Sequence, residues 1–66
     1  MPTIQIMWYK GRTTQQKSEL ADVITKAVAE IGNTTAEDTQ VIFHDVEKSN
    51  WAHGGVMASE SEIWII

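Results

Sequence analysis

The fold is decided by the stretch TIQIMWYKGRTTQQ, residues 3–16. Its first part alternates, with Ile4, Ile6 and Trp8 on one face, and this period of two predicts a β-strand. Residues 10–12 break the alternation. The segment that follows has the pattern of a capping box, in which the Thr13 hydroxyl and the Gln16 amide satisfy free backbone N–H groups at the start of a helix.

A helix and a second strand continue the pattern. The apolar stripe of the helix consists of Leu20, Ile24, Ala27, Val28 and Ile31. Gly32 and Asn33 then predict the C-terminal end of the helix. Residues 39–46 alternate again, with Val41 and Phe43 on one face. Strand, helix and strand in this order predict a βαβ unit with parallel strands and a right-handed crossover.

The remainder of the chain predicts a small hairpin and an apolar tail. The adjacent Gly54 and Gly55 permit a tight turn, and Val56 and Met57 can form a short strand after it. The tail IWII, residues 63–66, is expected to pack across a subunit boundary. We therefore predict one α+β domain over residues 1–66, with a parallel strand pair, one main helix and a short C-terminal hairpin.

Length and composition indicate an oligomer. A chain of 66 residues buries only about 60% of the surface that it exposes when unfolded. It has no cysteine and only two histidines, so disulfides and a metal cage are not expected to support it. A single helix covers one face of a parallel strand pair, which normally needs both faces covered. We expect the other face to meet a second copy of the chain.

The charge and hydropathy of the chain exclude several classes of binding partner. The net charge is −4 and no Lys/Arg cluster is present, which argues against nucleic acid and against an anionic membrane surface. No apolar run reaches transmembrane length, and the first residues lack the pattern of a signal peptide. We expect a soluble, cytoplasmic protein.

Pro2 is the candidate for catalysis. Removal of Met1 would leave a free secondary amine at the start of the first strand. The reference pKa of a terminal amine is about 7.7–8.0, and an apolar pocket lowers it. Such an amine can serve as a general base at neutral pH. If Met1 is retained, Pro2 is an amide without basicity.

Several motifs occur in a fixed order: Pro2, Gly11-Arg12, the helix opening TTQQK at residues 13–17, and NWAHGG at residues 50–55. Together they resemble the 4-oxalocrotonate tautomerase family, from Pro2 to about Ser59. The resemblance implies a β-α-β protomer that pairs into a four-stranded sheet, with three such dimers forming a hexamer. It implies a tautomerase, an isomerase that moves a proton between the enol and keto forms of a small molecule, an unsaturated 2-oxo acid, and that needs no cofactor or metal.

The same resemblance implies roles for individual residues. Pro2 matches the amino-terminal general base of the family. Arg12 matches an arginine that a neighbouring subunit usually supplies to hold the substrate carboxylate, a task that suits a planar guanidinium. Trp51 matches an aromatic residue that walls the pocket. Gln40 stands where these tautomerases commonly carry a second arginine, and its amide can donate a hydrogen bond to a carbonyl oxygen but brings no charge.

That departure leaves the substrate and two alternative functions open. A smaller or less charged carbonyl substrate fits Gln40 better than the diacid typical of the family. One alternative is a hydratase or dehalogenase that acts on a 3-substituted acrylate, although no carboxylate stands at the expected water-activating position. The other alternative is a non-catalytic oligomer that serves as an interaction module.

Overall fold

A computed structural model describes residues 1–60. Three main elements follow one another: strand β1 (Thr3–Tyr9), helix α1 (Thr14–Ile31) and strand β2 (Gln40–Val46). Four short elements come after them: a 3-10 turn at Lys48–Asn50, strands β3 (Ala52–His53) and β4 (Val56–Met57), and a 3-10 turn at Ala58–Glu60. The order confirms the predicted α+β architecture. The prediction for the tail, residues 63–66, lies outside the described residues.

Strands β1 and β2 form a parallel pair. The register runs from Thr3 opposite Gln40 to Tyr9 opposite Val46 without a bulge. One backbone hydrogen bond closes each end. The N–H of Gln40 donates to the Pro2 carbonyl oxygen at 2.9 Å, and the N–H of Lys10 donates to the Val46 carbonyl oxygen at 2.9 Å. The parallel pairing predicted from the sequence is therefore confirmed over the full length of both strands.

The ends of α1 follow from local chemistry. The N–H of Gln16 donates to the Thr13 hydroxyl at 3.1 Å, and the N–H of Thr13 donates to the Gln16 side-chain oxygen at 2.9 Å. This is the predicted capping box. After the last helical turn, Asn33 rather than Gly32 takes the left-handed conformation, with φ of 54°. Asparagine tolerates this conformation better than most residues. The predicted end of the helix is therefore confirmed, and the left-handed residue is the second of the predicted pair.

The apolar stripe predicted for α1 is only partly correct. Leu20, Ile24 and Val28 are half-buried, but Ala27 is exposed and Ile31 is 86% exposed. Other residues share the half-buried side with the first three: Lys17, Ala21, Thr25 and Ala29. The periodicity of apolar residues shows that a helix is amphipathic. It does not determine which part of the apolar side packs against the sheet. The helix thus carries a second apolar strip that faces solvent in the single chain.

The single chain has almost no interior. Among residues 1–60, Ala58 is the only buried side chain, with 3% of its surface exposed. Apolar side chains also remain outside on the sheet face away from α1, where Met7 is 62% exposed and Ile42 is exposed too. A domain of this size has little stability to spare, and so much uncovered apolar surface is expected to be covered by other chains.

The short hairpin is a two-residue turn between β3 and β4. Ala52 pairs with Met57 and His53 with Val56. Gly54 and Gly55 have φ of 60° and 82°, so both central residues are left-handed, as a type I′ turn requires. The glycine pair therefore does what the sequence predicts. Within residues 1–60, no helix is both long and apolar enough to cross a bilayer.

Candidate functional site

Two of the predicted site residues meet at the amino ends of the strands. Pro2 is half-buried, and its carbonyl oxygen accepts the backbone hydrogen bond from Gln40. The Gln40 side chain also lies at the amino end of β1, where its amide nitrogen is 3.5 Å from the Met1 sulfur. The Gln40 amide is therefore next to the residue whose removal would expose the Pro2 nitrogen.

The other two predicted site residues lie at the carboxyl ends. Trp51 packs edge-on against Tyr9, with ring centroids 5.0 Å apart and an interplanar angle of 71°. Arg12 follows the end of β1 by three residues. A strand of seven residues spans about 20 Å, so one protomer does not bring Arg12 and Trp51 to Pro2.

Arg12 is held in place by two contacts. Its guanidinium carbon lies 4.7 Å from the centroid of the Trp8 ring, within the range of a cation–π interaction. Its Nη1 donates a hydrogen bond to the Tyr9 carbonyl oxygen at 2.9 Å. The remaining N–H donors of the guanidinium are available for an anion.

A polar cluster fixes Trp8, and sequence reasoning missed it. The Trp8 indole N–H donates to Asp45 Oδ1 at 2.7 Å, and the Lys17 ammonium binds Asp45 Oδ2. The Trp8 ring also stacks on Phe43 at 5.3 Å with an interplanar angle of 21°. A signal was present in the sequence, since Asp45 falls on the same alternating face as Val41 and Phe43. A charged residue at an inward position needs a partner.

The charge of Asp45 is stabilised by this cluster. Hydrogen bonds from Lys17 and then Trp8 hold the pKa of the Asp45 carboxyl below its usual value of 3.8. The side chains of Lys17 and Asp45 are 26% and 32% exposed, so solvent screens the pair only in part. A depressed folded-state pKa contributes stability above the unfolded pKa, and the contribution is lost as the pH falls through the folded value.

The lowered pKa of Asp45 predicts how the stability of the protein depends on pH. We expect Asp45→Asn to lower the melting temperature at about pH 6, and the gap to wild type to narrow below about pH 4. Asp22→Asn is the matched control, because it removes a carboxylate from the exposed 2.9 Å pair with Lys26 and should cost little. Thermal unfolding followed by circular dichroism measures both. A gap for Asp45→Asn that does not change with pH would contradict the assignment.

Two further lysines line the carboxyl ends of the strands. Lys10 Nζ lies 3.0 Å from Glu47 Oε1, and this contact raises the pKa of Lys10. The Lys48 ammonium lies 5.5 Å from the centroid of the Tyr9 ring. In the part of the chain that the structure describes, no three metal-ligating side chains come together.

Comparison with known proteins decides the family. A sequence profile described as "Tautomerase enzyme" matches residues 2–61, nearly the whole chain. The chain belongs to the tautomerase family. Among its relatives, the 2-hydroxymuconate tautomerase of Comamonas testosteroni is 37% identical over 60 residues, which cover 91% of this chain and 95% of the relative.

Solved structures of this family share the fold of the chain. A 4-oxalocrotonate tautomerase isozyme from Methylibium petroleiphilum is similar with a TM-score of 0.80 at 40% identity, covering 88% of this chain and 94% of the other. A heterohexameric 4-oxalocrotonate tautomerase from Chloroflexus aurantiacus gives a TM-score of 0.83 at 30% identity, covering 91% and 97%. The resemblance and the fold predicted from the sequence are confirmed.

Proposed function

We propose that this tautomerase catalyses enol–keto proton transfer on an unsaturated 2-oxo acid, with the Pro2 amine as general base after removal of Met1. The observation that carries the proposal is the pairing of Pro2 with Gln40 at the strand ends. Together with the contact between the Gln40 side-chain amide and Met1, it supports an arrangement in which a candidate hydrogen-bond donor lies near a candidate base. Family membership and relatives such as 2-hydroxymuconate tautomerase support the reaction class.

Each residue has a defined task in this reaction. The neutral amine of Pro2 accepts the proton from the enol hydroxyl and returns a proton to the substrate carbon, so the product is an isomer and no cofactor is consumed. The Gln40 amide donates to the oxygen on which negative charge develops. Arg12 binds the carboxylate with parallel hydrogen bonds, and Trp51 excludes water from the pocket.

The substrate carries one carboxylate in this proposal. Arg12 is the only arginine in the chain, and Gln40 occupies the position where the resemblance implies a second one. One guanidinium binds one carboxylate bidentately. A second carboxylate at the Gln40 end would be left without a cation, which favours substrates such as phenylenolpyruvate over diacids.

The site is assembled from more than one chain. A small 2-oxo acid cannot bridge the length of β1, about 20 Å, that separates Pro2 from Arg12 within a protomer. We propose a homo-oligomer in which Arg12 and Trp51 of one subunit approach Pro2 of another. A hexamer built as a trimer of dimers is the form we favour, because a similar structure is that of a heterohexamer. Pairing of β-α-β units into a four-stranded sheet would also cover exposed strand edges.

Subunit complementation tests this arrangement. One variant, Arg12→Ala, keeps the amine, and a second chain that retains Met1 keeps the arginine. At substrate concentrations well below KM, each alone should show little activity toward phenylenolpyruvate. When the two are unfolded and refolded together in equal amounts, independent assortment should restore about a quarter of the wild-type sites.

The controls distinguish a site shared between chains from simple addition of two residual activities. Mixing the two variants without unfolding tests whether activity needs subunit exchange, and light scattering verifies the assembly of each variant. Activity that stays at the sum of the two separate variants would contradict a site shared between chains. A folded, stable monomer would contradict the oligomer itself.

A further inference from the structure

We propose that Trp8 is a positioning residue, a platform that aims the Arg12 guanidinium at the substrate carboxylate. The inference rests on the proposed function, in which Arg12 binds that carboxylate. It adds to the site a residue that the sequence analysis placed only on one face of the first strand. It also gives a task to the cluster of Asp45 and Lys17 behind the indole.

The first step is the geometry of the guanidinium. Its carbon lies 4.7 Å from the Trp8 ring centroid, and one N–H is committed to the Tyr9 carbonyl oxygen. An arginine side chain loses much rotamer freedom when it binds a ligand. Two contacts made before substrate arrives reduce that loss, because the planar group is already oriented.

The second step is that the platform itself is fixed. The Trp8 indole N–H donates to Asp45 Oδ1 at 2.7 Å, and its ring stacks on Phe43. The indole therefore has a hydrogen bond that sets its rotation and an aromatic contact from the neighbouring strand. A ring held in this way keeps the Arg12 guanidinium that packs on it in one orientation.

The third step concerns competition for the arginine. Asp45 is a carboxylate close enough for the charge of Arg12 to lower its pKa. A free carboxylate there would attract the guanidinium and compete with substrate. Both Asp45 oxygens already accept hydrogen bonds, from Trp8 and from the Lys17 ammonium. The lysine thus balances the aspartate charge and leaves the arginine available.

A double-mutant cycle distinguishes positioning from packing. We expect Trp8→Leu to raise KM for phenylenolpyruvate about 3- to 30-fold with little change in kcat, since a cation–π contact of this kind contributes about 0.5–2 kcal/mol. In the Arg12→Ala background the same substitution should have no further effect on KM. Trp8→Phe keeps a ring and should recover part of the loss.

A matched core variant and a direct probe complete the test. Val28→Ala shortens a half-buried side chain about three helical turns beyond Lys17 and should leave KM close to wild type. Because Arg12 is the only arginine, its Nε–H gives a single resonance, and the ¹⁵N heteronuclear NOE of that resonance should fall in Trp8→Leu and recover in Trp8→Phe. The probe reports on positioning even in a variant with low activity.

The outcomes separate the two hypotheses. If Arg12→Ala leaves KM unchanged, the carboxylate-binding role fails and the platform loses its purpose. If Arg12→Ala raises KM but Trp8→Leu changes it equally in both backgrounds, only the platform proposal is overturned. An unchanged NOE in Trp8→Leu would overturn it as well.

Discussion

A chain that begins at Pro2 is expected to convert phenylenolpyruvate about 10²–10⁴ times faster than the same chain with Met1 attached, the range over which a positioned general base contributes. The physical reason is that Met1 turns the Pro2 nitrogen into an amide, which has no basicity at any working pH. The chain has 66 residues with Met1 and one fewer without it, and both forms are within reach of chemical synthesis. The comparison therefore changes one residue and leaves every candidate site side chain in place.

Two measurements make this comparison decisive. Circular dichroism and light scattering should give the same fold and mass for both chains, because the backbone bond between Gln40 and Pro2 does not require a free amine. The activity of the shorter chain should rise with pH as the terminal ammonium loses its proton. If the two chains have the same fold and oligomeric state and turn over substrate equally fast, Pro2 is not the general base.

Gln40→Arg is expected to shift substrate preference toward a diacid. The ratio of kcat/KM for 2-hydroxymuconate to kcat/KM for phenylenolpyruvate should increase about 10²–10³-fold, the effect of gaining a charged donor where negative charge accumulates. The argument is local. Position 40 pairs with Thr3 in the register and its backbone N–H is bonded to Pro2, so a longer cationic side chain would start beside the proposed base.

Variants at the same position provide the controls. Gln40→Glu is similar in shape but places a negative charge near the second carboxylate, and it should shift the ratio in the opposite direction. Gln40→Met removes the donor without adding charge and should slow both substrates. The specificity argument would be wrong if Gln40→Arg changed kcat/KM for the two substrates by the same factor.

Features with local causes could be predicted from the sequence. The bounds of β1 follow from strict alternation, and the start of α1 follows from a reciprocal pair of hydrogen bonds between Thr13 and Gln16. The turn at Gly54 and Gly55 requires two left-handed residues, which glycine alone supplies without strain. In each case the physical cause lies within a few residues of its effect.

Features with distant causes could not be predicted in the same way. Asp45 binds Lys17, which lies 28 positions away, and no local pattern in the sequence links the two residues. The exposure of Ile31 depends on how α1 is rotated against the sheet, which periodicity leaves undetermined. The four site residues were predicted individually, but their separation into two pairs at opposite strand ends required the parallel register.

The near absence of buried side chains affects which substitutions the protein can tolerate during evolution. In most proteins a large interior resists substitution and a larger exterior drifts. Here Ala58 is the only buried side chain among residues 1–60, and the other apolar side chains of that range are half-buried or exposed in the single chain. In the proposed oligomer, substitution at Met7, Ile31 or Ile42 would be constrained by whatever subunit surface covers these exposed side chains.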